Sequence, residues 1–169
     1  MIAYFGHLSA SKGIIELIHA FSEIEGWDKR LYLTNSTKKL KEYVKNKDPT
    51  IKIMPKIKDM PSAYNSVDVI VLPLRHELSS ISTPLVLLEA MACGKAIIAS
   101  KIRNIQDTAG NSVMYCEAYS SESIKNCINK LNIEKKRKQL GYKARKRAEK
   151  YFDEKEMIKK YEEIFEELK

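Results

Sequence analysis

The chain has 169 residues, 44% of them apolar and 31% charged, with 30 Lys/Arg against 22 Asp/Glu for a formal net charge of +8. That length suits one domain, and the apolar share is enough to build a core, which excludes wholesale disorder. No run approaches the ~20 apolar residues that a membrane span requires.

The elements alternate in type along the chain. Ile2–Phe5 is a short apolar strand that ends at Gly6, and a helix follows from Gly13 with Ile14, Leu17, Ile18, Phe21 and Ile24 on one face. Leu31–Thr34 reads as a strand, Lys38–Asn46 as a polar helix, and Ile51–Met54 as a strand closed by Pro55. Met60–Ser66 is a short helix. Val67–Leu72 is a near-continuous apolar run of the kind buried on both faces of a parallel sheet. Pro84–Cys93 is helical, Ala96–Ala99 and Ser112–Tyr115 are strands, and helices close the chain at about 122–131, 135–151 and 155–168. Six strands alternating with helices predict an α/β fold: a doubly wound, Rossmann-like parallel sheet with helices on both faces and further helices at the C-terminus. Ligands of such sheets bind at the carboxyl ends of the strands. The loops to inspect are therefore those after Phe5, Met54, Leu72 and Ala99.

The loop Gly6-His7-Leu8-Ser9-Ala10-Ser11-Lys12-Gly13 misses both the G-x-x-x-x-G-K-[ST] and the G-x-G-x-x-G phosphate signatures. It does set Lys12 at a helix start, where the macrodipole disfavours a cation and favours a bound phosphate. The alternative is a solvated Lys12 paired with Glu16 one turn on. The segment Thr83–Gly94 carries Thr83 as N-cap, Pro84 at the first helical position and Gly94 as terminator, with Glu89 the one polar residue between. A helix apolar all round is buried, so Glu89 needs either a buried partner or a ligand such as a ribose diol.

Three widely spaced cysteines, Cys93, Cys116 and Cys127, lack zinc-site spacing and read as reduced thiols of a cytoplasmic protein; no metal site is expected. No secretory signal precedes the first strand, and a chain opening within a strand reads as a piece of something longer. Residues 134–150 hold nine Lys/Arg against two Glu, while 151–169 hold four Lys against seven Asp/Glu. Leu140, Ala144, Ala148 and Tyr151 fall at helical spacing, which makes the basic run the solvated face of an amphipathic helix. Nucleic acid is not an expected partner, because the aromatics that stack bases are not interleaved with the cations.

The glycine loop, Asp68–Pro73 and Leu87-Leu88-Glu89-Ala90-Met91-Ala92-Cys93-Gly94-Lys95 together resemble the C-terminal half of group 1 (family 4) retaining glycosyltransferases of the GT-B fold, over essentially the whole chain. The resemblance implies a single unit, residues 1–169, that binds a nucleotide-diphosphate sugar of the UDP or GDP type. It also implies a separate N-terminal acceptor-binding domain, a glycan or lipid-linked acceptor, and no cofactor beyond the donor. By position, Gly6, His7 and Lys12 would meet the diphosphate, and Pro55, Lys56 and Ile57 would lie against the base. Ser82, Thr83, Leu85 and Val86 would receive phosphate or sugar, and Glu89 the ribose. Lys12 and Glu89 are the catalytic candidates.

The chain departs from the family at two places. His7 replaces the usual Arg, and Ile81 replaces a Glu that faces the transferred sugar, with Glu77 the nearest carboxylate. Arg75 and His76 read as exposed loop residues, and His19 as a residue without a role. The Ile81 departure keeps open a non-catalytic nucleotide-sugar-binding module, and half of a sugar-nucleotide epimerase stays as a further alternative. The basic helix suggests a peripheral contact with an anionic membrane.

Overall fold

The computed structural model describes residues 1–7, 9–55, 57–79 and 83–167. Strands β1 (Ile2–Gly6), β2 (Lys29–Leu33), β3 (Lys52–Met54), β4 (Val69–Leu72), β5 (Ala96–Ser100) and β6 (Met114–Cys116) form one parallel sheet in the order β3-β2-β1-β4-β5-β6. Between and after them run α1 (Ile14–Ser22), α2 (Lys38–Lys47), α3 (Met60–Asn65), α4 (Leu85–Ala92), α5 (Arg103–Ala109), α6 (Ser121–Lys130), α7 (Glu134–Tyr151) and α8 (Glu154–Glu167). The predicted doubly wound α/β architecture is the one observed. The chain winds outward from β1 to β3, then returns to place β4 on the other side of β1, so the strand order reverses between β1 and β4.

Alternation along each strand divides the core. Ile2, Tyr4, Leu31, Val69 and Ile98 pack with Leu17, Phe21, Val44 and Ile128 from α1, α2 and α6. Ala3, Phe5, Tyr32, Ile70 and Ile97 pack with Tyr64, Leu87, Met91, Ile105 and Ala144 from α3, α4, α5 and α7.

The structure corrects several expectations. Strand β2 starts at Lys29 rather than Leu31. Lys29 is buried because its ammonium donates to the Phe21 carbonyl in the last turn of α1 and to the Ile24 carbonyl just past it, at 3.0 and 3.4 Å, and pairs with buried Asp48. Helix α5 was expected as loop; it holds only Ile105, Thr108 and Ala109 in the core and has no side-chain N-cap, so its apolar pattern is too sparse to register.

Thr83 does not cap α4. Pro84 occupies the N-cap position, and the Thr83 hydroxyl instead meets that of Thr108 at 2.9 Å. Nor is α4 buried all round. Leu87, Ala90 and Met91 face the core, while Glu89 and Leu85, the latter 71% exposed, lie outside. The outer side is apolar because it walls the clefts described below. Gly94 does terminate the helix: at φ +64°, its N–H bonds to the Met91 carbonyl and that of Lys95 to Ala90, a Schellman pair.

Helix α7 lies against that turn so closely that a Cβ on Gly141 would come 2.1 Å from the Gly94 carbonyl oxygen. Its arginines reach the ends of three other helices. Arg137 donates to the Leu131 and Asn132 carbonyls after α6 (2.7 and 2.9 Å), and Arg145 to Ala92 in α4. Arg147 donates to Thr108 and Asp107 in α5 (2.6 and 3.1 Å). In α8, by contrast, Met157, Ile158, Tyr161, Ile164 and Phe165 are all exposed. No helix among the described residues is long and apolar enough to cross a membrane.

Candidate functional site

The loops after β1 and β4 meet where the strand order reverses. Backbone N–H of Arg75 donates to the Ser11 carbonyl at 2.9 Å, and the buried Ser79 hydroxyl donates to the same oxygen at 2.7 Å. The Lys12 ammonium crosses to the Ser79 carbonyl. Gly13 makes this approach possible: it sits at φ +67°, and a Cβ there would lie 1.8 Å from the Pro73 carbonyl oxygen. Contrary to expectation, Lys12 does not start a helix: it ends a single 3-10 turn (Ala10–Lys12), and α1 begins beyond Gly13, whose positive φ breaks the two apart. Burial lowers the Lys12 pKa, so its charged form is under-compensated by the protein, a state that a neighbouring anion would relieve. The expected alternative partner is taken, since Glu16 instead accepts from Arg75 at 2.7 and 2.9 Å.

Two adjoining cavities open at this point. The larger, about 640 Å³, is lined by Gly6, His7, Lys12, Leu78, Ser79, Thr83, Pro84, Leu85 and Val86, among others. The smaller, about 240 Å³, is bounded by Phe5, Tyr32, Thr34, Pro55, Ile57 and Met60, and shares Gly6, His7 and Val86 with the first. In its floor, Phe5 stacks on Tyr32 with ring centroids 4.6 Å apart and planes 2° from parallel. His7 stands over both cavities, held by its carbonyl, which accepts from the Tyr4 hydroxyl at 2.9 Å, and by Nδ1, 2.6 Å from the Thr34 hydroxyl. The N-terminus of α4 points at the shared wall, where the first N–H groups of a helix have no intrahelical acceptor.

The fold thus gathers Gly6, His7, Lys12, Pro55, Ile57, Thr83, Leu85 and Val86 around one cleft. Lys56, Ser82 and the departing Ile81 lie outside the described residues. Glu89 is set one helical turn past Val86, where it lines a separate groove with Leu88, Ala92, Arg145 and Phe152. It is exposed rather than buried, and its carboxylate accepts from the Tyr64 hydroxyl at 2.6 Å.

Glu77 is exposed and lines neither cavity, and Arg75 spends its guanidinium on Glu16 and the Tyr119 ring. His76 is exposed as expected, and His19 meets the Tyr43 hydroxyl at 2.8 Å. Sequence reasoning passed over Phe5, Tyr32 and Tyr64. The available signal was their place at the carboxyl ends of strands and on the helix preceding β4.

Such an arrangement suits an elongated anion with a flat ring at one end. The aromatic cavity is shaped for the ring, and the Lys12 cation of the larger cavity with the helix dipole at the junction suits the negative charge.

The profile of the family described as "Glycosyl transferases group 1" matches residues 1–132. The chain is 28% identical over 164 residues to the capsular polysaccharide biosynthesis glycosyltransferase CapM of Staphylococcus aureus, covering 90% of this chain and 42% of CapM. The fold matches Anabaena HepE, solved in complex with UDP, with a TM-score of 0.85 at 20% identity over 98% of this chain and 48% of that one. It also matches the C-terminal domain of the group 1 glycosyl transferase LpcC from Francisella tularensis, with a TM-score of 0.77 at 23% identity over 90% of this chain and 86% of that domain. The chain spans less than half the length of CapM and HepE.

Proposed function

The chain belongs to the group 1 glycosyl transferases, and on that premise we propose that it is the donor-binding half of a transferase that takes a nucleotide-diphosphate sugar and passes the sugar, with retention, to a glycan or lipid-linked acceptor. The observation that carries this reading is the convergence of His7 and the α4 N-terminus on the junction of an aromatic cavity with a larger one whose wall carries Lys12. The base occupies the cavity floored by Phe5 and Tyr32, and the diphosphate lies at the junction. The sugar extends into the larger space toward Leu78 and Leu85. As the sugar leaves, Lys12 and the first N–H groups of α4 stabilise the charge growing on the diphosphate, an electrostatic contribution that needs no protein nucleophile. Glu89 reaches back from the next turn to the ribose hydroxyls. The donor is itself the substrate, and no further cofactor enters.

A second half, supplied by the rest of a longer protein, brings the acceptor; the chain alone binds donor without transferring it. The half-length coverage of CapM and HepE supports this division. The reading also places the enzyme in the cytoplasm at the inner face of a membrane. The lysines of α7, notably Lys135, Lys136 and Lys143, supply the contact, because its arginines are turned onto helix ends. Co-sedimentation with anionic vesicles should fall as salt rises; binding indifferent to lipid charge overturns the contact.

Calorimetry with UDP, GDP and ADP sugars tests the central reading. One of them binds more tightly than inorganic phosphate, and Glu89→Ala costs it about tenfold in affinity, roughly 1.4 kcal/mol. If every nucleotide binds no better than phosphate, the assignment fails.

A further inference from the structure

We propose that Tyr64 is the positioning residue for ribose recognition: its hydroxyl holds the Glu89 carboxylate on the α3 side of α4, one helical turn past the cavity-lining Val86. The proposal rests on the ribose role of Glu89 given above. Two neighbouring helices share the geometry. Met60 of α3 and Val86 of α4 both line the cavity, and Tyr64 and Glu89 stand one turn beyond each of them. Residues that close in helical register project from the same side of the helix.

Tyr64 can act as a fixed post because its ring cannot swing. It is 1% exposed and packs on Phe5 with ring centroids 4.7 Å apart, and Phe5 is in turn stacked on Tyr32 in the cavity floor. Burial, followed by the bond to Glu89, drives the Tyr64 pKa upward, which keeps the hydroxyl a donor at any working pH. A phenylalanine would fill the same space without a polar group to satisfy, so the hydroxyl has a purpose only through its partner.

Glu89, by contrast, is exposed and has two directions open to it. On its other side Arg145 lines the same groove, but Glu149 holds that guanidinium at 2.7 Å and the Ala92 carbonyl accepts from it as well. With Arg145 engaged elsewhere, the Tyr64 hydroxyl decides where the carboxylate stands. The second carboxylate oxygen is left for a ligand diol.

The test compares a ribonucleotide with its twin lacking the ribose hydroxyls, UDP against 2′,3′-dideoxy-UDP, or the corresponding guanine pair if the protein prefers that base. Wild type should favour the ribonucleotide by about tenfold. Tyr64→Phe should lower ribonucleotide affinity about fivefold and leave the dideoxy affinity unchanged, so the preference collapses. Adding Tyr64→Phe to Glu89→Ala should cost nothing further.

A Tyr64→Phe protein with its preference intact overturns the proposal while the donor site stands, provided Glu89→Ala loses the preference. A wild type that ignores the ribose hydroxyls overturns both the proposal and the role of Glu89. Equal losses for both nucleotides would show that Tyr64 serves only the packing of the cavity floor, which also overturns it.

Discussion

Charge in this protein is used one residue at a time, and Lys29 shows how. A lysine on a central strand is an unusual choice, since burying an ammonium costs several kcal/mol unless it is paired. Here it meets two carbonyls at the C-terminal end of α1 and the carboxylate of Asp48, whose other oxygen accepts from the Thr50 N–H and hydroxyl at 2.8 and 2.7 Å. Burial opposes ionisation of Asp48, but the hydrogen bonds from Lys29 and Thr50 outweigh it, and the folded-state pKa lies below the ordinary value. A depressed carboxyl pKa contributes stability that is fully present above the unfolded value of about 3.9 and is lost as pH falls through the folded one. Asp48→Asn should therefore cost about 3 kcal/mol at pH 7, by urea denaturation. The gap between variant and wild type should narrow steadily as pH drops below about 4. A gap that stays constant from pH 7 to pH 2 removes the ion pair from the account.

Among the elements, α7 resolves what the basic run is for. Its cations divide by type. Arg137, Arg145 and Arg147 each donate to backbone carbonyls at the end of a different helix, where the dipole is negative, while lysines such as Lys143 face water. A guanidinium offers several donors in a fixed fork, which lets it reach two carbonyls at once; an ammonium on a flexible stem does this less well. Arg147→Met should lower stability by about 1.5–3 kcal/mol, the worth of a charged hydrogen bond, and Lys143→Met should stay within about 0.5 kcal/mol. Equal costs for the two would mean that the helix-end contacts carry no weight.

The spacing of Ala144 and Ala148 announced the amphipathic helix correctly, and both are buried. Which cations turn inward was not legible, because that depends on where α4, α5 and α6 happen to end. The same limit explains Thr83 and Glu89. A local pattern names a cap and a lone carboxylate, but only the placing of α4 among α3, α5 and α7 decides that Thr83 meets Thr108 of α5 and that Glu89 lies at the surface.

Over the whole molecule, the parallel α/β architecture and the end of the sheet at which the cleft opens were legible together. Apolar runs such as Val67–Leu72 marked buried parallel strands, and the ligand rule for such sheets pointed to four loops, of which those after β1, β3 and β4 line the two cavities. The aromatic floor was not legible, since Phe5 and Tyr32 come from different strands and Tyr64 from a helix, and only the register of β1 against β2, which pairs Phe5 with Tyr32, stacks the first two.

The cross-ties between those two loops bear on how fast a ligand arrives. Ser11, Lys12, Arg75 and Ser79 bind one wall of the cleft to the other before any ligand enters. Ordering that would otherwise accompany association is completed during folding, so little conformational entropy is left for the ligand to remove. Capture at such a cleft is governed by encounter, and selectivity among ligands is expressed in how long each stays.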